Sequence, residues 1–403
     1  MDAAEAFNAL LGTEAGRADP YPLYEALRAD GPTVEVGPSM IAVTSFAECD
    51  RVLRDQRMLV HDAAYMDRLW PGWDTQSSLV AINHSILETN PPDHQRVRRL
   101  ISGVFTPRRM AAMREQVTRL AADLADEMAT TAASGDGTVD FMAAYAYLLP
   151  VNVICELLGI PEADRAWFRP IAHEIAATVE PINIDFDVAN AAADSLTKYY
   201  DELIEGRRSR PRDDLISALV AVHDADPTQL SATELMSNLV LLLVAGFETT
   251  TNLLGNGLWL LLQRPDELAA LRADPCRTNA YVEEMLRFDS PVQVTSRWTP
   301  TELTVADLHV PAGSEVFALI AAGNRDPRRF DRPDVFDPDR ANNASLSFGA
   351  GAHFCLGQAL ARMEAQVAFP LLLARFPEIS PAAVPLRKDR ITLRGYASMP
   401  LRV

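Results

Sequence analysis

Lysine is almost missing from this 403-residue chain: Lys198 and Lys388 are the only two among 37 basic residues, and the rest are arginines. Basic charge as a whole is short. Against 55 acidic residues it leaves a formal net charge of −18, which argues against general nucleic-acid binding and against a basic membrane-surface mode. Cysteine is scarce too. Cys49, Cys155, Cys276 and Cys355 are far apart and form no C-x-x-C pair, so no disulfide framework is expected and a reducing cytoplasm fits. The longest uninterrupted apolar run, Leu239–Phe247, is nine residues, whereas a membrane span needs roughly 20. The opening segment MDAAEAFNALLG carries acids at positions 2 and 5 and no basic stretch, so neither a secretory leader nor a membrane partner is expected. Repeats and low-complexity segments are absent. With 48% hydrophobic and 23% charged residues, the chain can build a core that needs no disulfide or structural metal.

The pattern is mainly α with a small β part. TVEVGPSMIAVTS, residues 33–45, reads as a hairpin around a Gly-Pro turn. Residues 46–57 read as helix and 58–90 as irregular. Helix follows from Pro92 to about Ala133, interrupted at Thr106-Pro107, then over 141–159, 162–180 and 187–208. Residues 231–263 give the longest helix, opened by the capping-box spacing of Ser231 and Glu234. More helix is expected over 266–289, two β-runs over 303–320, an ordered coil over 324–346, a last helix over 356–376 and a terminal strand pair over 391–402. Candidate sites fall in several distant segments, so one domain over 1–403 is expected.

The chemistry concentrates in FGAGAHFCLG, residues 348–357. Gly349 and Gly351 let the loop turn tightly, and Cys355 directly precedes an amphipathic helix. Convergent N–H groups and a helix N-terminus both favour a thiolate. On position alone, a small buried hydrophobe is an equal reading. A dinucleotide loop is not, because Phe354 stands where G-x-G-x-x-G needs its third glycine and no βαβ unit surrounds it.

Phe348, Gly351, His353, Cys355 and Gly357, followed by Leu360-Ala361-Arg362, resemble the signature F-x-x-G-x-H-x-C-x-G-x-x-L-A-R of the cytochrome P-450 family in its soluble bacterial form. The resemblance implies the single-domain fold of that family, with heme b between the long central helix and the helix after the cysteine loop. It makes Cys355 the iron ligand, whose anionic sulfur pushes electron density onto iron. It also places Phe348, Gly349 and Gly357 against the cofactor. Residues 245–249, AGFET, resemble the family's oxygen-activation motif, with Ala245 over the heme and Glu248 and Thr249 as the catalytic acid–alcohol pair. The residues themselves allow Thr249 to return its hydroxyl to the carbonyl of Ala245 and bend the helix. They equally allow a solvated glutamate at the edge of an apolar run. His94 and Arg98, four apart on one helical face, resemble the family's propionate-binding H-x-x-x-R, and Arg297 and His353 match further propionate partners. Glu284 and Arg287 can pair at three residues' separation. The resemblance adds Arg340 and makes the trio structural.

Substrate-facing positions are implied in 60–90, 165–195, at Leu241, Leu242 and Ala245, at Gln293 and Val294, and at Tyr396 and Ala397. They are mainly apolar, as a pocket for a hydrophobic small molecule should be. Residues 171–197 hold Glu174, Glu180, Asp185, Asp187 and Asp194 and no lysine or arginine, with Arg68 the exception nearby; this favours a bulky neutral or cationic substrate over a fatty acid, the other reading being that these acids simply face water. The expected reaction is hydroxylation or epoxidation, using O2, of a natural-product intermediate such as a polyketide or macrolide. Two electrons from NAD(P)H would arrive through a ferredoxin and ferredoxin reductase. Seven arginines between Asp93 and Arg119, Arg96, Arg99, Arg108 and Arg109 among them, make a basic island suited to an acidic ferredoxin. Ring coupling, nitration or non-catalytic heme sensing are the other functions such a chain admits.

Overall fold

Period-2 alternation is clear at residues 33–43, and these form the antiparallel strands Thr33–Gly37 and Met40–Val43. The computed structural model describes residues 1–182 and 184–403, and every side chain among them except that of Arg169. In it the hairpin extends to a four-stranded sheet: Met40–Val43 pairs in parallel with Glu315–Ala318, which pairs antiparallel with Thr295–Trp298. The sheet feeds two cores. On one side Val34, Val36 and Ala42 pack with Phe7, Leu10 and Tyr24 from the helices Ala3–Gly12 and Tyr21–Asp30. On the other, Ile41, Val43 and Val316 pack with Cys49, Val52 and Leu53 of the helix Phe46–Arg54, and with Leu346 and Ala350. The segment that leads into the cysteine loop is thus part of the hydrophobic core.

This sheet belongs to a compact unit made of Met1–Leu59, Thr118–Ala146 and Thr249–Val403; Val60–Val117 and Tyr147–Glu248 make a second. The second unit is helical. Leu148–Leu158, Arg165–Ala176, Phe186–Ser209 and Leu215–Ala225 each bury an apolar stripe, including Ile154, Phe168, Leu196 and Leu219. Gly159 ends the first of these in the left-handed region, and a Cβ there would lie 2.2 Å from an Asp214 oxygen. Asp214 in turn pairs with buried Arg207 at 2.7 Å. Of the two lysines, Lys198 is exposed on Phe186–Ser209, and Lys388, in the first unit, is buried with Nζ donating to Asn252 Oδ1 at 3.1 Å.

The long helix runs from Ala232 to Leu262. Its capping box is formed: Glu234 N–H donates to Ser231 Oγ at 3.2 Å and Ser231 N–H donates to Glu234 Oε2 at 2.8 Å. It is long enough, and its most apolar 18-residue window apolar enough, to cross a membrane, but 61% of that window is buried within the protein. Several expectations change. Residues 58–90 contain the helices Ala63–Leu69 and Ser77–Asn83, each too short to display a helical period; Asp62 caps the first by accepting from Tyr65 N–H. Leu215–Ala225 is a helix that the sequence pattern did not reveal. Residues 303–320 hold three strands, because Ala306 takes positive φ and closes a tight hairpin between Leu303–Val305 and Leu308–Val310. The terminal strands Tyr396–Ser398 and Pro400–Arg402 do not pair with each other; the first joins Leu386–Arg387 and the second lies between Thr138–Asp140 and Ser380–Pro381.

Glu364 lies buried on the last helix, and Tyr145 is buried in the same unit. Burial pushes the Glu364 carboxyl well above its usual range. A carboxyl whose folded pKa is raised contributes stability that is complete below its unfolded pKa, about 4.3, and is lost as pH rises. Glu364→Gln should therefore raise the urea midpoint more at pH 8 than at pH 4. Equal gains at both values would contradict the buried, protonated state.

Candidate active site

Cys355 is the one cysteine with a site around it. Cys49 and Cys155 are buried core thiols, and burial pushes Cys155 up to about 12 and Cys49 above the usual thiol range, so both stay protonated. Cys276 is exposed. Cys355 is half-buried, two residues before Gly357, the N-cap of the helix Gln358–Arg375. Its N–H donates to Phe348 O at 3.0 Å, closing the loop on itself, while Gly349 N–H donates to Leu346 O at 2.7 Å. Gly351 has φ of 69°, and a Cβ there would lie 2.4 Å from Leu53 O, so the loop presses directly on the end of the helix Phe46–Arg54. Arg362, the last signature residue, stacks its guanidinium on the Phe348 ring at 4.4 Å. The same side chain pairs with Glu283 and with Gln358.

Behind the loop stands a fully buried ion pair. Arg287 meets Glu284 through two parallel bonds of 2.8 and 2.7 Å on the helix Thr278–Phe288. Its remaining donors reach the carbonyls of Asn324 (3.0 Å), Pro333 (2.8 Å) and Val335 (3.2 Å). Glu284 also accepts from Asp337 N–H at 2.8 Å, and Arg340 comes within 3.6 Å of it while donating to the carbonyls of Asp331, Arg332 and Val335. The trio organises the coil. Asn324 carries this order into the cysteine segment: its Oδ1 accepts from Leu346 N–H at 2.7 Å, and its Nδ2 donates to Ser290 and Ser347 hydroxyls. No sequence signal marked Asn324. The neighbouring Glu283 does not join this cluster; its partner is Arg362.

In the same unit Arg297 is buried on the strand Thr295–Trp298, with Nη1 donating to Ser296 O at 2.6 Å and Thr295 Oγ1 at 3.3 Å. His353 closes the short turn Gly351–His353 and is half-buried. Thr249 is half-buried. In the other unit, His94 is buried and Arg98 half-buried on the helix Asp93–Ser102, four residues apart and so on one face. Ala245 is exposed although its neighbours Leu241 to Val244 and Phe247 are buried. Gly246 serves a close approach: a Cβ there would be 2.9 Å from Ile154 Cδ1. Of the two readings of Glu248, the solvated one fails. The side chain is buried, with Oε2 3.8 Å from His173 Nδ1.

Three substrate-facing candidates are also engaged within the framework. Gln293 is buried with both ends engaged, Nε2 donating to Ser290 O at 2.7 Å and Oε1 accepting from Tyr24 Oη at 3.2 Å. Val294 lies in the core with Phe7 and Tyr24. The Tyr396 ring is covered by Arg387 at 3.8 Å and by Trp259. Backbone bonds of Gln293 to Thr392 and Ala321 draw that segment into the framework. Leu241 and Leu242 are buried on the long helix; within 165–195, Asn183 lies outside the described residues. Arg96 is no free surface charge either, since it pairs with Glu234 at 2.6 Å and Asp93 at 2.9 Å, whereas Arg99 and Arg108 are exposed.

The family model described as Cytochrome P450 matches residues 177–275 and 277–391. The chain is 38% identical to the cytochrome P450 monooxygenase PikC of Streptomyces venezuelae, over 96% of this chain and 91% of that protein. It is 35% identical to the 6-deoxyerythronolide B hydroxylase of Saccharopolyspora erythraea, over 98% of each. Among solved structures, the bacillaene polyketide synthase cytochrome P450 PksS of Bacillus subtilis superposes with a TM-score of 0.85 at 33% identity, covering 96% of this chain and 97% of that one.

Removing one member of a buried ion pair strands the other, at a cost of about 3–5 kcal/mol. Arg287→Met should therefore lower unfolding stability by that order and reduce the fraction of protein purified with cofactor. Glu283→Gln, which breaks a partly exposed pair, should cost less than about 1 kcal/mol. Urea unfolding of both variants, with cofactor content read from absorbance, checks the contrast.

Proposed function

The chain belongs to the cytochrome P450 family and is a heme-b-dependent monooxygenase, and we propose that it oxidises a bulky neutral or cationic natural product, a polyketide or macrolide intermediate, by hydroxylation or epoxidation. The observation that carries the assignment of the site is Cys355: a half-buried thiol on a glycine loop at a helix N-terminus, while the other buried thiols are held protonated by desolvation. The donor set fits heme. Among the described residues no three His, Cys, Asp or Glu side chains gather to hold a metal, so a single thiolate suits an iron that brings its own macrocycle. On the family resemblance, Arg297 and His353 in one unit, and His94 and Arg98 in the other, are each proposed as partners for the propionates. The glycine at position 357 leaves the space beside the sulfur free of a side chain, its nearest approach being Cys355 Sγ at 4.0 Å.

Bound heme supplies the activation of dioxygen. The chain supplies the rest. Cys355 gives an anionic ligand, and the helix N-terminus and loop N–H groups stabilise its charge. Exposed Ala245 keeps the helix face low, and Thr249, one turn on, offers a hydroxyl that orients a proton donor. Glu248 holds the proton reserve. We assign the whole of 1–403 to this single function. Acids at 174, 180, 185, 187 and 194, with no lysine or arginine between 171 and 197, support a substrate without a carboxylate. The relatives named for 6-deoxyerythronolide B hydroxylation and for a polyketide synthase support the compound class. Electrons would come from NAD(P)H through ferredoxin reductase and ferredoxin, with exposed Arg99 and Arg108 available to an acidic partner.

The reduced protein with carbon monoxide should show the red-shifted Soret band of thiolate ligation, and Cys355→Ser should lose that band. A histidine-type spectrum in the wild type would overturn the ligand assignment. Thr249→Ala should retain heme and NAD(P)H consumption but divert electrons into hydrogen peroxide. Product, peroxide and NAD(P)H measured together, with 6-deoxyerythronolide B among the substrates screened, test this; full coupling in the variant would remove Thr249 from the mechanism.

A further inference from the structure

Glu248 presents a transport problem. Its side chain is 1% exposed, within the apolar stretch of the long helix. A carboxylate that passes protons must be recharged from water, and this one does not touch water. His173 does. It lies on the helix Arg165–Ala176 in the same unit, with a side chain 36% exposed and Nδ1 3.8 Å from Glu248 Oε2. We propose that His173 is the solvent-side proton carrier that recharges Glu248.

The placement follows from the helix. Phe168, Ala172 and Ile175, spaced by four and three residues, form its buried stripe. His173 sits at the edge of that stripe, where one end of the ring faces the interior and the other reaches solvent. Histidine is the side chain whose ordinary pKa lets it gain and lose a proton between pH 5 and 8. The 3.8 Å gap exceeds a hydrogen bond of roughly 3 Å, so transfer needs a small ring rotation or one bridging water. Protons balance. Water protonates the ring, the imidazolium releases its Nδ1 proton to Glu248, and the neutral ring is protonated again. Monooxygenation takes up two protons with its two electrons, so the relay runs twice per turnover. Other titratable groups on the elements packed with this helix are Glu174 on the helix itself, Asp164 and Arg165 at its start, and Glu180 just beyond its end. Asp185, Asp187, Asp194 and Lys198 flank it from Phe186–Ser209 or its cap, and Cys155 and Glu156 from Leu148–Leu158.

The proposal rests on Glu248 as the acid of the oxygen-activation pair, and two measurements separate the claims. First, histidine-labelled holoprotein in the diamagnetic ferrous–carbon monoxide state is titrated by NMR, with the His173 signal identified by its loss in His173→Phe. Glu248→Gln should change the pH dependence of the His173 ring signals, because the carboxyl beside the ring is gone; an unchanged pH dependence overturns the proposal. Second, NADPH-driven dioxygen consumption is followed in H2O and D2O with plant-type ferredoxin and its reductase in excess. His173→Phe and His173→Gln should both slow it roughly 10-fold or more and enlarge the solvent isotope effect, while the carbon monoxide spectrum is unchanged. Gln keeps a polar end but cannot titrate, so wild-type behaviour in His173→Gln means the ring only fills space or donates a hydrogen bond, and the relay fails. If Glu248→Gln is slow and both His173 variants are normal, the relay alone is wrong. If Glu248→Gln is itself normal, the acid assignment falls and the relay with it.

Discussion

A charge with no access to water sits under the cysteine loop, and the loop's geometry depends on how that charge is satisfied. The Glu284 carboxylate and the Arg287 guanidinium are both fully buried, a state that is costly unless nearly every donor and acceptor finds a partner. Here they do. Five bonds from Arg287 and a backbone N–H onto Glu284 stitch residues 324 to 337 against one helix. Coil without regular secondary structure is thereby made rigid, because its carbonyls are the ligands of a fixed cation. Asn324 then transmits this rigidity to Leu346 and Ser347, and from there the chain enters the loop that holds Cys355.

Adjacent carboxylates on the same helix divide the work. Glu284 faces inward and organises the coil; Glu283 faces the next helix and holds Arg362, whose guanidinium also covers Phe348. The start of the loop, at Phe348, and the helix that follows it are thus held by one side chain. The hydrophobic core adds a third restraint through Leu346 and Ala350, and the close approach of Gly351 to Leu53 a fourth. A thiol so constrained is pre-positioned, which is what metal ligation at a single protein atom requires.

Most of this was legible in the sequence wherever a local rule applied. The capping box at Ser231 and Glu234, the hairpin at 33–43 and the cysteine loop ahead of its helix are encoded within a few residues, and each formed where expected. What failed to show depended on partners far along the chain. Nothing near Gln293 reveals that Tyr24 will take its amide oxygen, and nothing near Glu248 reveals that His173, 75 positions away, will stand beside it. Short helices such as Ala63–Leu69 escaped for a different reason: two turns cannot establish a period. The alternative of a solvated Glu248 stayed open because its place at the end of an apolar run says nothing about what covers that end.

The near absence of lysine acquires a chemical meaning once the two that exist are located. Lys388 is enclosed against Asn252, and Lys198 stands exposed on the helix Phe186–Ser209. Apart from its amino end, the folded chain therefore offers amine-directed reagents a single side chain. Its positive surface is otherwise guanidinium, which acetylation and active esters leave untouched. Tethering, dye attachment or crosslinking through amines would address one defined point of the second unit, and the cationic surface used for recognition elsewhere would pass through such chemistry unaltered.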